Sequence, residues 1–108
     1  MGYTHKVSQE EWKNLGEAVL VWSGWGETSY PVRDERLVLL HFGSTIGNQL
    51  LPLLRALVDD FYSSDARLRA LNLVEMARLS EDEFARKHPC LSRESVRALA
   101  WCYTFDYK

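Results

Sequence analysis

The sequence predicts an all-α protein, a single compact domain of about six helices spanning residues 1–108. Helix-capping motifs recur along the chain, and apolar residues recur at three- and four-residue spacing rather than alternating. The run 37–42 resembles a buried strand, but no second run of this kind is available to pair with it. A chain of 108 residues also favours one domain over two.

Composition is typical of an ordinary globular protein, with 46% hydrophobic and 26% charged residues. No signal peptide is expected, because no apolar region follows Met1–Lys6, and no apolar run approaches the roughly 18 residues of a membrane span. We therefore expect a cytoplasmic protein with no membrane association. The cysteines Cys90 and Cys102 are expected to be reduced thiols.

The first helix is predicted from Gln9 to about Val21. Ser8 and Glu11 form a capping box before it, and an apolar stripe follows at helical spacing: Trp12, Leu15, Val19 and Leu20. Residues 23–31 contain two glycines, three hydroxyl residues and a proline, which indicates a loop.

Periodicity alone leaves the run 37–42 open between helix and buried strand. Asp34 as an N-cap and Gly43 just past the end favour the helix. The next helix should start near Asn48, which puts Pro52 in its first turn, and it carries the strongest stripe in the chain: Leu50, Leu53, Leu54, Leu57, Val58 and Phe61.

The last third is expected to form a tri-helical unit over 66–103, of the helix-turn-helix kind. Its first helix is predicted over 66–78. Ser80 and Glu83 then form a second capping box, Pro89 stops that helix, and Ser92 caps the last one. The expected core is Trp12, Leu15, Val19, Leu40, Leu50, Leu54, Leu57, Phe61, Leu71, Val74, Phe84, Val96, Leu99 and Tyr103.

No residue set has the spacing of a catalytic or metal site. His88, Cys90 and Cys102 have the spacing H-x-C-x11-C, without the fourth ligand and close pairs of a zinc site. A cysteine–histidine nucleophile is disfavoured because nothing supplies an oxyanion hole or a third orienting group. We therefore expect no enzyme activity, no metal and no cofactor.

Surplus tryptophan is the main functional signal. Trp22 and Trp25 flank the glycine-rich loop, and Trp101 lies off the apolar face of the last helix, so we interpret all three as partner-binding residues. The alternative is that Trp22 and Trp25 fold over the core as a lid.

Arg93 and Arg97 lie one turn apart on the last helix and are the candidate nucleic-acid contacts if that helix is a recognition helix. The net charge of −2 argues against strong non-specific binding to nucleic acid. A solvated surface with Glu94 nearby is the favoured interpretation of the two arginines.

The pattern L-S-x-x-E-[apolar]-x4-P-x-L-S-x-E-x-V-x-A-L-A-aromatic over residues 79–101 resembles part of the DUF433 type of bacterial domains. Those domains have helix-turn-helix units and are associated with antitoxins. The resemblance implies a tri-helical tail. Residues 1–65 resemble no family known to us, and the short strand and the R-I-P-V-like phrase of that family are missing upstream.

These features predict a non-catalytic protein-interaction module, in its most concrete form an antitoxin or immunity protein that masks a protein partner. The alternative is a DNA-binding regulator, which would need dimerisation to assemble enough positive charge. A homodimer is compatible with both.

Overall fold

The computed structural model describes residues 7–108, so Met1–Lys6 and the signal-peptide expectation attached to it lie outside the described residues. The helices in chain order are α1 (Gln9–Ser23), α2 (Glu35–Tyr62), α3 (Ala66–Arg69), α4 (Leu73–Lys87) and α5 (Arg93–Tyr107). The all-α prediction is confirmed, and no strand occurs within 7–108. The expected number of six helices is wrong, because the described chain has four long helices and the single turn α3.

Helix α1 begins as predicted, with the Ser8 Oγ accepting the Glu11 N–H at 3.1 Å and the Glu11 carboxylate accepting the Ser8 N–H at 3.0 Å. It ends two residues later than predicted, at Ser23, and Gly24 caps it with a φ of 80°. The longer helix places Trp22 on the same stripe as Leu15 and Val19. Trp22 is therefore a helix residue rather than a loop residue.

Helix α2 contains a sharp bend at Gly43, whose φ of 83° and ψ of 164° are accessible essentially only to glycine. Arg55 pairs with Glu35 at 2.7 Å across the bend, although the two lie 20 residues apart. Residues so far apart would be about 30 Å away in one straight helix, so the segments 35–42 and 44–62 fold back on each other. A Cβ at Gly47 would lie 3.1 Å from the Leu39 Cα, which shows how closely the segments approach.

The run 37–42 is thus helical, and Asp34 caps it by accepting the Arg36 N–H at 3.0 Å. The second segment starts earlier than Asn48, so Pro52 lies inside the helix rather than in its first turn.

The predicted break at Ser80 is wrong. Ser80 is buried in the middle of α4, where its hydroxyl donates to the Ala77 carbonyl at 3.1 Å. The real break lies at 70–72, where Asn72 caps α4 by accepting the Glu75 N–H at 2.9 Å. The tail therefore has one turn and two long helices instead of three helices of similar length.

The connection from α4 to α5 follows the prediction. Helix α4 ends at Lys87, two residues before Pro89, and Ser92 caps α5 by accepting the Ser95 N–H at 3.2 Å. Helix α5 packs against α1, α2 and α4, and its buried face includes Val96, Leu99 and Tyr103.

The core lies between α1, α2 and α5, with α4 closing one side. Ten of the fourteen predicted core residues are buried there, and Trp12 is partly buried against them. Phe61 anchors the α4 side, with ring centroids 4.8 Å from Phe84 and 5.6 Å from Tyr103.

Three predicted core residues are exposed instead: Leu40 by 81%, Leu71 by 87% and Val74 by 80%. The break at 70–72 restarts the helical register, so α4 buries Met76, Ser80 and Phe84 and leaves Val74 outside. Leu40 lines an open groove beside α1 instead of the core, and the fully buried residue of its segment is Val38.

One stretch is long and apolar enough to cross a membrane by length and composition. It lies within Glu35–Arg69. Its most apolar 18 residues have a mean hydropathy of 1.3, and 33% of this window is buried. The stretch is not a continuous apolar run, because His41, Ser44 and Asn48 interrupt it, and the expectation of no membrane association stays a prediction. A core helix passes the same test, and Leu50, Leu54 and Leu57 of α2 are buried in the core.

Candidate functional site

Trp22 does not lie on the surface. It is only 8% exposed and belongs to the core cluster, because the last turn of α1 carries it inward beside Leu15 and Val19. The prediction that Trp22 is a surface residue on a loop is therefore wrong.

Trp25 and Trp101 are brought together by the fold. Gly24 ends α1 in a left-handed conformation, and Trp25 then turns toward α5, where its ring meets that of Trp101 edge to face at 5.5 Å. The Trp25 indole N–H donates to the Glu94 carboxylate at 3.4 Å. Both indoles are half-buried, so each keeps an accessible part beside the outer face of α5.

Arg93 and Arg97 lie near carboxylates of α4. The Arg93 guanidinium is 3.4 Å from Asp82, and that of Arg97 is 3.9 Å from Glu81. All four charges remain partly exposed, and exposed pairs of this kind contribute little to stability. The two candidate nucleic-acid contacts therefore belong to a surface of mixed charge.

A group of exposed apolar side chains lies at the junction of α3 and α4. Within seven residues of chain, Leu68 is 75% exposed, Leu71 87%, Leu73 44% and Val74 80%. We call these four residues the apolar strip. Arg78 lies one turn beyond Val74, and Arg69 precedes the junction.

Sequence reasoning missed the apolar strip because it placed Leu71 and Val74 in the core. The sequence does contain a signal for a new helix at this point. Asn72 is followed three residues later by Glu75, a pair typical of a helix N-terminus.

A second apolar surface is an open groove between α1 and the first segment of α2. Its lining residues are Leu20, Val21, Glu27, Leu37, Leu40 and His41. We call it the α1–α2 groove. His41 pairs with Glu17 of α1, and Glu27 makes no ion pair with any residue among 7–108.

Two partly buried ionic clusters join helix ends. Asp60 of α2 contacts the His88 ring at 2.8 Å and the Lys87 ammonium. Burial alone would raise the pKa of Asp60, but hydrogen bonds from Lys87 and His88 outweigh it and the pKa is lowered. This cluster ties the end of α2 to the end of α4.

In the other cluster, one Arg33 Nη atom donates to both Asp106 oxygens at 2.7 and 2.6 Å, and the Tyr62 hydroxyl donates to Asp106 at 2.6 Å. Burial would raise the pKa of Asp106, yet these hydrogen bonds lower it. Arg33 adopts a left-handed backbone, with a φ of 58°. The cluster fastens the loop before α2 to the end of α5.

The two cysteines have different surroundings: Cys90 is exposed, and Cys102 is buried in the core. Burial raises the pKa of the Cys102 thiol to about 12, which keeps it protonated and unreactive near neutral pH. Within residues 7–108, no group of three or more histidine, cysteine or acidic side chains lies close enough to hold a metal ion.

No protein-family model, curated protein or solved structure matches this chain. The resemblance of residues 79–101 to the DUF433 type of domain therefore stays a prediction.

Proposed function

We propose that this chain is a non-catalytic protein-interaction module, and that the apolar strip is its main docking face. The observation that carries the proposal is the exposure of Leu68, Leu71 and Val74, each by three quarters or more. Contiguous apolar surface on a soluble protein commonly marks an interface, because covering it removes apolar area from water.

The Trp25–Trp101 pair is proposed as an additional partner contact. Paired indoles offer a rigid apolar surface that loses little conformational entropy on binding, and truncation of such aromatic residues weakens many interfaces strongly. The Trp25–Glu94 hydrogen bond supports this role by holding the indole in a fixed orientation at the surface.

An antitoxin or immunity-type role in the cytoplasm is the most specific form of this proposal. Its support is the small size of the chain, its net charge of −2 and its exposed apolar surface. An acidic protein of this kind suits a basic partner whose surface it masks.

Affinity capture with matched variants tests the interaction role. Tagged wild-type protein is compared with Leu71→Gln/Val74→Gln and with Tyr30→Gln, which changes an exposed residue in the loop before α2. We expect a protein retained by the wild type and by Tyr30→Gln but lost by the double variant. Equal retention by all three would remove the apolar strip as a docking face.

The captured protein, once purified, allows a test of the tryptophan pair. Trp25→Ala should weaken its binding by about 2 kcal/mol if the pair is an interface anchor. Unchanged binding would limit Trp25 to a structural role.

A further inference from the structure

The bend in α2 consists of a single residue, and its neighbours do not force it. Residues 35–42 and 44–62 are helical, and Gly43 between them departs from helical backbone angles. Its φ of 83° and ψ of 164° lie in a region that is strained for any residue other than glycine. A Cβ at this position would meet no atom within 4 Å. A helical conformation at Gly43 would turn residues 35–62 into one continuous helix.

The contacts across the bend follow a four-residue spacing. Arg55 pairs with Glu35 at 2.7 Å, and a Cβ at Gly47 would lie 3.1 Å from the Leu39 Cα. Positions 35, 39, 43, 47 and 55 are separated by multiples of four, and such positions form one ridge along a straight helix. The bend folds this ridge back on itself near its centre, at Gly43.

Two straight copies of this ridge can make the same contacts with each other. In an antiparallel pair related by a two-fold axis at position 43, position 39 of one chain lies opposite position 47 of the other, because both are four residues from the axis. Position 35 likewise comes close to position 55. The contacts that the bend makes within one chain would therefore recur between two chains, and Gly43 and Gly47 would let the helices approach closely.

We propose that Gly43 is a hinge through which two copies exchange the N-terminal arms that end at Phe42, forming a domain-swapped dimer. Each arm would carry Leu15, Val19 and Trp22 into the core of the other copy, in place of the same residues of that chain. Because the core contacts are regained, such an exchange costs little. This inference goes beyond the proposed function and does not depend on it, since the apolar strip lies outside the arm.

The dimer would also cover apolar surface that the bent chain exposes. Leu40 is 81% exposed and Ile46 39%, and they lie three residues before and three residues after Gly43. The two-fold axis would bring Leu40 of one chain beside Ile46 of the other. Removing this area from water favours the dimer.

Exchange of the arms should be slow. The arm is held to α5 by the Arg33–Asp106 pair and by the contact of Trp25 with Trp101. These contacts and the core must open before an arm can leave. A swapped dimer should therefore separate slowly on dilution, unlike a dimer that forms through exposed surfaces.

Refolding of the full chain from urea, followed by size-exclusion chromatography with light scattering, tests the hinge. At about 1 mM protein the wild type should return as monomer together with a dimer of two chains, and at about 1 µM as monomer alone. Gly43→Ala should lower the dissociation constant of the dimer by about 100-fold, because in each chain relief of the strain at the bend favours the straight form about tenfold. Ser44→Ala, exposed and one residue later, should behave as the wild type. A wild type that refolds only to monomer would overturn the proposal.

Ser44→Pro tests the straight helix itself. In the bent form position 44 begins the second segment, where proline is tolerated because the first helical N–H has no partner within the helix. In a continuous helix the proline would clash with the carbonyl of residue 40. Ser44→Pro should therefore fold, as circular dichroism would verify, and form no dimer at about 1 mM. A Gly43→Ala variant that stays monomeric, or a Ser44→Pro variant that dimerises like the wild type, would contradict the hinge.

Isotope-filtered NMR on the Gly43→Ala dimer identifies the exchanged arms. In a dimer refolded from an equimolar mixture of ¹³C-labelled and unlabelled chains, Leu39 of one chain should show a nuclear Overhauser contact with Gly47 of the other. The dimer should also persist for hours after dilution to about 1 µM. Leu39–Gly47 contacts only within one chain, or prompt dissociation on dilution, would mean that the copies associate through their surfaces and would refute the exchange.

Discussion

Trp22 and Trp25 lie three residues apart and have different surroundings. Trp22 is enclosed in the core, whereas Trp25 lies half-buried against Trp101. Trp22→Ala should therefore lower the free energy of unfolding by about 3–5 kcal/mol, as expected for a large buried side chain. Urea unfolding followed by circular dichroism measures the loss.

Trp25→Ala should lower the free energy of unfolding by only about 1–2 kcal/mol, because it removes an aromatic pair and part of a packed surface. Comparing the stability losses of Trp25→Ala and Trp22→Ala shows whether Trp25 is a surface residue or part of a lid over the core. A loss as large as that of Trp22→Ala would show that Trp25 is a core residue and would remove it as a partner contact.

Asp106 makes stability depend on pH. Its pKa is lower in the folded protein than in the unfolded chain, so its contribution is complete above about pH 4. The contribution disappears as the pH falls through the lower folded-state pKa. Asp106→Asn should therefore be less stable than the wild type at pH 7, and the difference should shrink in acid.

Urea unfolding from pH 7 down to pH 2 checks this prediction. Asp59→Asn is a suitable control, because Asp59 is exposed and makes no ion pair with any residue in 7–108. A constant gap between Asp106→Asn and the wild type at every pH would contradict the assigned role of the Arg33–Asp106 pair.

At the scale of single elements, the bend at Gly43 lets the two segments of α2 pack together. A Cβ at Gly43 would meet no atom within 4 Å, so a substitution there acts through backbone strain alone. Gly43→Ala should lower the free energy of unfolding by about 1–3 kcal/mol.

Ser44→Ala, one residue later in regular helix and exposed, is the matched control and should change stability by less than about 0.5 kcal/mol. Similar unfolding curves for the two variants would mean that the bend does not depend on glycine.

The element boundaries show what the sequence could predict. Ser8, Asp34 and Ser92 cap helices as expected, because a cap depends on a few neighbouring residues. Ser80 has the same local pattern yet is buried within α4, where its hydroxyl bonds the helix carbonyl of Ala77. Local sequence does not decide between these two uses of a serine; the packing of Ser80 in the core does.

The candidate site was less predictable than the fold. The pairing of Trp25 with Trp101 joins residues 76 positions apart, which no periodicity reveals. The apolar strip was not predicted, because the sequence spacing of Leu68, Leu71 and Val74 is that of one continuous apolar helix face. The chain breaks that stripe at 70–72, so the three side chains never reach the core.

At the scale of the whole molecule, α5 belongs to the same core as α1 and α2, through Val96, Leu99 and Tyr103. A fragment of residues 66–108 would expose that face to water and should stay largely unfolded. Circular dichroism of the fragment beside the full chain tests this. A helical fragment with cooperative thermal unfolding would show that the tail is a domain of its own.

The two apolar surfaces are also properties of the whole molecule. Interaction through the apolar strip is the central claim of the proposed function, and it would account for the large apolar side chains that lie outside the core.

Photo-crosslinking in the cells that produce the protein tests that claim most directly. A benzophenone amino acid replaces Leu71 in the apolar strip or, as the control, the exposed Tyr30. After illumination, the Leu71 position should yield a discrete larger species containing this chain and a bound protein, while the Tyr30 position should yield none. Illumination that leaves the Leu71 protein at the mass of one chain would contradict the account.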